Sequence, residues 1–215
     1  MKKEKQNNDG VEQLSQIRSM MEESSRFISL SGISGIMAGV TALAGAAYAY
    51  FIIQSSATVE MQRGMYFDQG GMTNSLFVEL LFVAVATLLV AFGFGVFFTV
   101  KKTRKKAQNV WTNSSRRLLI NLFIPLAAGG VFGLILAYHG LFGLIAPATL
   151  IFYGLALVNA SKYTLRDIRY LGLFEIALGL IASIYIGYGL LFWTIGFGLL
   201  HIIYGSLMYF KYDRA

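Results

Sequence analysis

Glu175 and His201 stand out as the residues whose types and spacing allow acid–base chemistry. Each lies thirteen residues from Tyr188, one before it and one after, within long apolar stretches. If those stretches are helices folded back on one another around Tyr188 and Gly189, the two side chains share a level roughly 15–20 Å below the turn, at about 1.5 Å of rise per residue. A carboxyl and an imidazole at one depth on adjacent helices can share a proton, with the imidazolium stabilised by the carboxylate. They can equally act as a structural clip, since interhelical polar bonds in membranes often only specify packing. An ionisable group in hydrocarbon costs on the order of 3 kcal/mol or more. The pair is therefore expected to meet, directly or through one water, with Ser34 or Tyr204 as substitute partners if one helix is rotated away.

Other titratable groups sit at the edges of apolar runs. Glu79 lies about one turn inside its stretch, near the expected outer interface, and His139 falls in an expected outer turn where it would titrate with the external pH. No cluster of His, Asp or Glu has metal-ligand spacing, the chain has no cysteine, and no Walker, Rossmann or zincin pattern occurs. No metal or cofactor is expected. Gly32-Ile33-Ser34-Gly35, together with His201 four residues before Gly205, is similar to the serine–histidine dyad of rhomboid intramembrane proteases. That family carries its serine in the fourth of six spans, with oxyanion-stabilising polar residues in the second, and this chain matches neither feature. A non-enzymatic protein is expected.

The elements that must position Glu175 and His201 follow from composition. Of 215 residues, 56% are hydrophobic and 13% charged, against about 25% charged in ordinary soluble domains. Charged residues are absent from 27–59 and from 118–161, each run exceeding the ~20 residues a helix needs to cross a bilayer. Apolar runs of this length exposed to lipid must be helical, because the backbone has to satisfy its own hydrogen bonds. The sequence predicts an all-α membrane protein of six transmembrane helices, at about 28–53, 76–99, 118–138, 141–160, 170–188 and 190–210, paired as three tandem hairpins. Lys and Arg divide 17 to 1 between the two sides, Arg63 being the exception. The positive-inside rule then places both termini in the cytoplasm, as in a multi-pass protein of a bacterial inner membrane.

Domain boundaries follow: residues 1–27 as a cytoplasmic tail, 28–210 as the membrane domain and 211–215 as a second short tail. Val11, Leu14, Ile17 and Met21 recur at helical spacing. Residues 11–26 are thus expected to form an amphipathic helix that lies along the headgroups or receives a cytoplasmic protein partner. Lys101, Lys102, Arg104, Lys105, Lys106, Arg116 and Arg117 form a loop of seven cations and no anion. At about 1 kcal/mol per basic residue near an anionic leaflet, they would hold it on the anionic headgroups of the lipid bilayer. Trp111 alone gives no stacking platform, so nucleic acid is not an expected partner. Oligomeric state is not encoded legibly.

Aligning Gly39, Gly129 and Gly179 brings Tyr48, Tyr138 and Tyr188 into one column, and Phe92-Gly93, Tyr153-Gly154 and Tyr204-Gly205 align in the returning spans. The acid at Glu175 is replaced by Gly35 and Pro125 in the other copies. Gly35, Gly39, Gly129, Gly133, Gly179 and Gly205 are expected to carry close helix packing, and Pro125 and Pro147 to kink the third and fourth spans. With Gly172 to Gly179, Gly196 and Gly205 in the last hairpin, this pattern resembles the six-helix, short-repeat acid-resistance membrane protein family of bacteria. The resemblance implies tandem hairpins from Ile28 to Lys211 and an association with acid-stress tolerance, and transfers no catalytic residue.

Two functions of different class follow. The first is a non-enzymatic inner-membrane protein acting through partners or the state of the membrane, in stress response. The second is a small proton-linked transporter or channel built on Glu175 and His201.

Overall fold

The computed structural model describes residues 31–56, 74–105 and 111–214. The expected amphipathic segment at 11–26, most of the outer loop and Lys106 lie outside these residues. The described chain is helical: α1 (Gly32–Ser56), α2 (Asn74–Lys105), α3 (Asn113–Tyr138), α4 (Ile145–Ala160), α5 (Ile168–Ile184) and α6 (Gly189–Asp213). Short 3-10 turns at Phe142–Leu144 and Ser161–Tyr163 flank α4. Five segments are long and apolar enough to cross a bilayer: α1, α2, α3, α4 with its flanking turns, and α6. Large apolar side chains such as Phe51, Phe82, Leu88 and Ile124 are more than 60% exposed on them. Water would not tolerate that much apolar surface, whereas lipid would. The chain is accordingly a multi-pass membrane protein. α5, at 17 residues, is shorter.

Local chemistry sets the helix ends. Thr112 caps α3: its hydroxyl accepts from the Ser115 N–H at 3.1 Å, and its own N–H donates to the Ser115 hydroxyl at 2.8 Å, a reciprocal box that satisfies two orphan donors. Gly187, at φ 108°, makes the turn between α5 and α6 in a backbone region that side chains disfavour. Pro147 departs from the expected mid-span kink. It is the third residue of α4, in the first turn, where a missing N–H breaks no intrahelical bond. α3 continues through Pro125 to Tyr138.

The helices pack unevenly on their neighbours in sequence. α1 packs on α2 and α3 on α4, but α5 packs most extensively on α4, and α6 on α1, while α5 and α6 touch only lightly. Two seams use the same device. Gly32 and Gly39 of α1 oppose Gly205 and Gly198 of α6, and Gly172 and Gly179 of α5 oppose Gly154 and Pro147 of α4. A Cβ on Gly154 would stand 2.5 Å from the Gly172 carbonyl oxygen, and one on Gly205 would stand 2.8 Å from the Gly32 carbonyl oxygen. Backbone thus lies directly against backbone, which small residues allow in membranes. Gly35 joins the first seam, its would-be Cβ 3.0 Å from the Gly205 Cα. Gly129 instead receives the Phe152 side chain of α4. Gly133 does not pack as expected, because a Cβ there would meet nothing within 4 Å. The α3–α4 contact is made beside it by Phe132 and Phe152, with ring centroids 5.7 Å apart.

The end of α6 extends past residue 211 and is tied to the rest of the bundle. The helix runs to Asp213, whose carboxylate accepts from the Gly32 N–H at 2.8 Å and the Ser31 hydroxyl at 3.1 Å, and pairs with Lys102 of α2 at 2.5 Å. Asp213 therefore caps α1 from across the bundle, placing an anion where the helix dipole favours one. Lys211 and the Tyr212 hydroxyl donate to Asp167, just before α5, at 2.7 and 2.8 Å.

Candidate functional site

Three helices contribute to one polar cluster inside the bundle: Tyr153 from α4, Glu175 from α5 and His201 from α6. The elements position it through glycine. The α4–α5 seam at Gly154 and Gly172 draws those helices together one residue from Tyr153 and three from Glu175. On α6, Gly196 leaves the space that the carboxyl occupies, since a Cβ there would stand 2.5 Å from Glu175 Oε2. The stretch Thr194–Leu200 is wound as a π-helix immediately before His201. Such widened turns recur at functional sites because they redirect side chains and loosen the carbonyl ladder.

His201 Nδ1 lies 3.0 Å from the Gly196 carbonyl oxygen and 3.5 Å from Glu175 Oε1. A carbonyl oxygen only accepts, so Nδ1 carries the hydrogen that it donates to Gly196. The other ring nitrogen, Nε2, is 2.7 Å from the Tyr153 hydroxyl. In a neutral imidazole that hydroxyl donates to Nε2; in an imidazolium Nε2–H donates to the phenol oxygen. The same heavy-atom positions accommodate both protonation states. The Phe197 ring, 4.9 Å from Tyr153 and 5.9 Å from His201 between centroids, packs apolar surface beside both rings.

Glu175 is 0% exposed and His201 7%. Both Glu175 oxygens lack a hydrogen-bond partner among the described residues, the 3.5 Å approach of the imidazole being an ion-pair distance and not a hydrogen bond. One cleft on the described surface lies beside Phe132, Ile151 and Ser183, and another runs along α2 beside Gly93. Neither is lined by Glu175, His201 or Tyr153.

The remaining candidates are not brought to this cluster. Glu79 and His139 are exposed near the ends of α2 and α3, and Ser34 donates to the carbonyl of Ser31, the residue just before its helix, at 2.5 Å. No serine dyad with His201 forms. Lys101, Arg104, Lys105, Arg116 and Arg117 are exposed, and Lys102 is half-withdrawn onto Asp213. No group of three or more His, Cys, Asp or Glu able to hold a metal occurs among the described residues. Sequence reasoning missed Tyr153 as a member of the cluster, although its place beside Gly154 was visible in the repeat. It also missed Asp167 and Asp213, since an isolated acid near a helix end carries no pattern of its own. The Lys211 ammonium, hydrogen-bonded to Asp167, holds that carboxyl below the usual aspartate range, with the Tyr212 hydroxyl adding to the effect.

No protein-family profile, curated protein or solved structure matches the chain.

Proposed function

We propose that this chain is a non-enzymatic, multi-pass protein of a bacterial cytoplasmic membrane, in which the Tyr153–His201–Glu175 cluster is a sealed, proton-responsive fastening between α4, α5 and α6. The observation that carries this reading is Glu175 itself: wholly buried, beside an imidazole, with both oxygens short of hydrogen bonds. Such a group is costly to packing, and the smallest species that changes its state is a proton. The sixth span in this reading is α5, whose ~25 Å of helix is anchored by Arg166 and Arg169 at the basic end. Both termini face the cytoplasm, following the 17 to 1 division of Lys and Arg. Change at the cluster would be read through helix packing by the membrane or by a protein partner at residues 11–26, a role in keeping with the acid-stress association that the family resemblance implies.

A second reading, a proton-linked transporter, is favoured by one feature: phenol, imidazole and carboxyl follow one another as a relay would require. Transporters usually add a hydrated, broken-helix site at the midplane, and neither the cleft beside Ile151 nor the one beside Gly93 is lined by the cluster. The two readings separate in proteoliposomes carrying a pH gradient. We expect wild type and Glu175→Gln to leak protons at the rate of protein-free vesicles. Flux above that background which Glu175→Gln abolishes would overturn the sealed reading.

A further inference from the structure

The bundle treats its seams unequally. The alignment of returning helices places Phe92-Gly93 of α2 in register with Tyr153-Gly154 of α4 and Tyr204-Gly205 of α6. Gly154 is closed over by Gly172 of the following helix, and Gly205 by Gly32 of α1. By the same pattern, the helix to close over Gly93 is α3. It does not: α2 and α3 share almost no close backbone approach, and a Cβ on Gly93 or Gly95 would meet nothing within 4 Å. A ring contact of Phe92 with Phe123, at 6.1 Å between centroids, bridges the two helices. The face of α2 left open there forms a shallow slot lined by Phe92, Gly93, Val96, Phe97 and Val100, all residues of α2 itself.

The cleft has a charged mouth. Lys101, Arg104 and Lys105 line its end, and none of the three makes an ion pair with a described carboxylate, in contrast to Lys102, which is held by Asp213. Lys101 instead rests over the Phe97 ring, 5.9 Å from its centroid, at the junction of floor and mouth. An apolar slot roughly two helical turns long that opens on three cations matches one kind of molecule: acyl chains below an anionic headgroup. A transmembrane helix of another chain would fill the floor but leave the three charges unanswered. We infer that the open seam beside Gly93 is a binding site for a single anionic phospholipid, with its phosphate on Lys101, Arg104 and Lys105 and an acyl chain along Gly93 and Val96. This inference rests on the membrane reading above but not on the proton-responsive cluster. It is also narrower than general attraction of the basic loop to a charged leaflet, because it singles out three of the cations and a glycine.

Native mass spectrometry of the full chain, released from detergent after titration with phosphatidylglycerol or phosphatidylcholine, tests it. We expect wild type to retain one phosphatidylglycerol in clear preference to phosphatidylcholine. The triple variant Lys101→Gln, Arg104→Gln, Lys105→Gln should weaken that retention by on the order of a hundredfold, given a factor of about five for each basic side chain. Gly93→Leu, which fills the slot without touching a charge, should also displace the lipid. Arg116→Gln with Arg117→Gln should weaken it far less. Equal retention of the two lipids, or loss that tracks the number of charges removed wherever they lie, would overturn the site. So would a wild-type dimer that Gly93→Leu dissolves, since the slot would then belong to a second copy. Extraction of each variant from membranes only by detergent reports separately on the membrane reading itself.

Discussion

The α4–α5 seam and the α2–α3 seam start from similar sequence and end differently. Both bring an aromatic-glycine pair on a returning helix toward the next outgoing helix, Tyr153-Gly154 in one case and Phe92-Gly93 in the other. At the first, glycine meets glycine, the backbones touch, and a carboxyl, an imidazole and a phenol are enclosed beside the contact. At the second the facing column holds Leu122, not glycine, and the helices stand apart. The burial of the spans follows suit: 39% of the fourth apolar segment is buried inside the bundle, against 11% for each of α2 and α3. A glycine permits close approach only when its opposite number is also small. Polar groups are retained where the approach is close enough to keep lipid and water out.

The largest expected effect comes from breaking the closed seam. Gly172→Leu places a side chain against the Gly154 carbonyl and should destabilise the folded protein by about 3 kcal/mol or more, at the upper end for overpacking. Gly93→Leu should change stability by less than about 0.5 kcal/mol, as expected away from tight contacts. Denaturation of both variants in bicelles, compared with wild type, checks the contrast. Equal losses would mean that the two seams do not differ in the way described.

The next effect sharpens what the closed seam encloses. His201→Ala removes the partner of Tyr153 and the neighbour of Glu175 together, and should cost about 2 kcal/mol by leaving buried polar groups unpaired. Tyr153→Phe deletes one interhelical hydrogen bond and should cost nearer 0.6 kcal/mol, the average for such bonds within membranes. The same denaturation assay ranks them. A Tyr153→Phe loss as large as that of His201→Ala would make the phenol, not the imidazole, the hub of the cluster.

A smaller effect belongs to the basic end. Asp167 is held below its ordinary pKa by Lys211 and Tyr212, so its contribution is present above the unfolded value, near 3.8, and is lost as pH falls through the folded value. Asp167→Asn should therefore lower the unfolding temperature slightly at neutral pH and leave it unchanged in strong acid. The smallest expected change is at Gly133, where Gly133→Ala meets nothing within 4 Å and should be neutral.

The apolar runs, the helical class and the approximate ends of the spans were legible because hydropathy and charge are local properties of sequence. The common depth of Glu175 and His201 was legible for a similar reason, as it needs only a turn near Tyr188 and a fixed rise per residue. The direction in which those side chains point was not, since it depends on rotation that the π-helical stretch before His201 alters. Seam partners were less legible. Gly129 and Gly133 look alike in sequence, yet one receives Phe152 and the other faces open space. The anchoring of α6 by Asp167 and Asp213 depends on pairings across 44 to 182 residues of chain, which no local pattern announces.

The most direct test of the proton-responsive fastening is the difference in unfolding temperature between wild type and Glu175→Gln, followed in nanodiscs from about pH 5 to pH 9. Folding that changes the proton occupancy of Glu175 adds a pH-dependent contribution to stability that the variant lacks, while the other titrating groups contribute to both and cancel in the difference. We therefore expect the difference to vary across the range by several degrees, about what 1 kcal/mol produces in a protein of this size. A difference that stays constant from acid to base would contradict the proposal and leave Glu175 and His201 as a clip that only fixes how α5 and α6 meet.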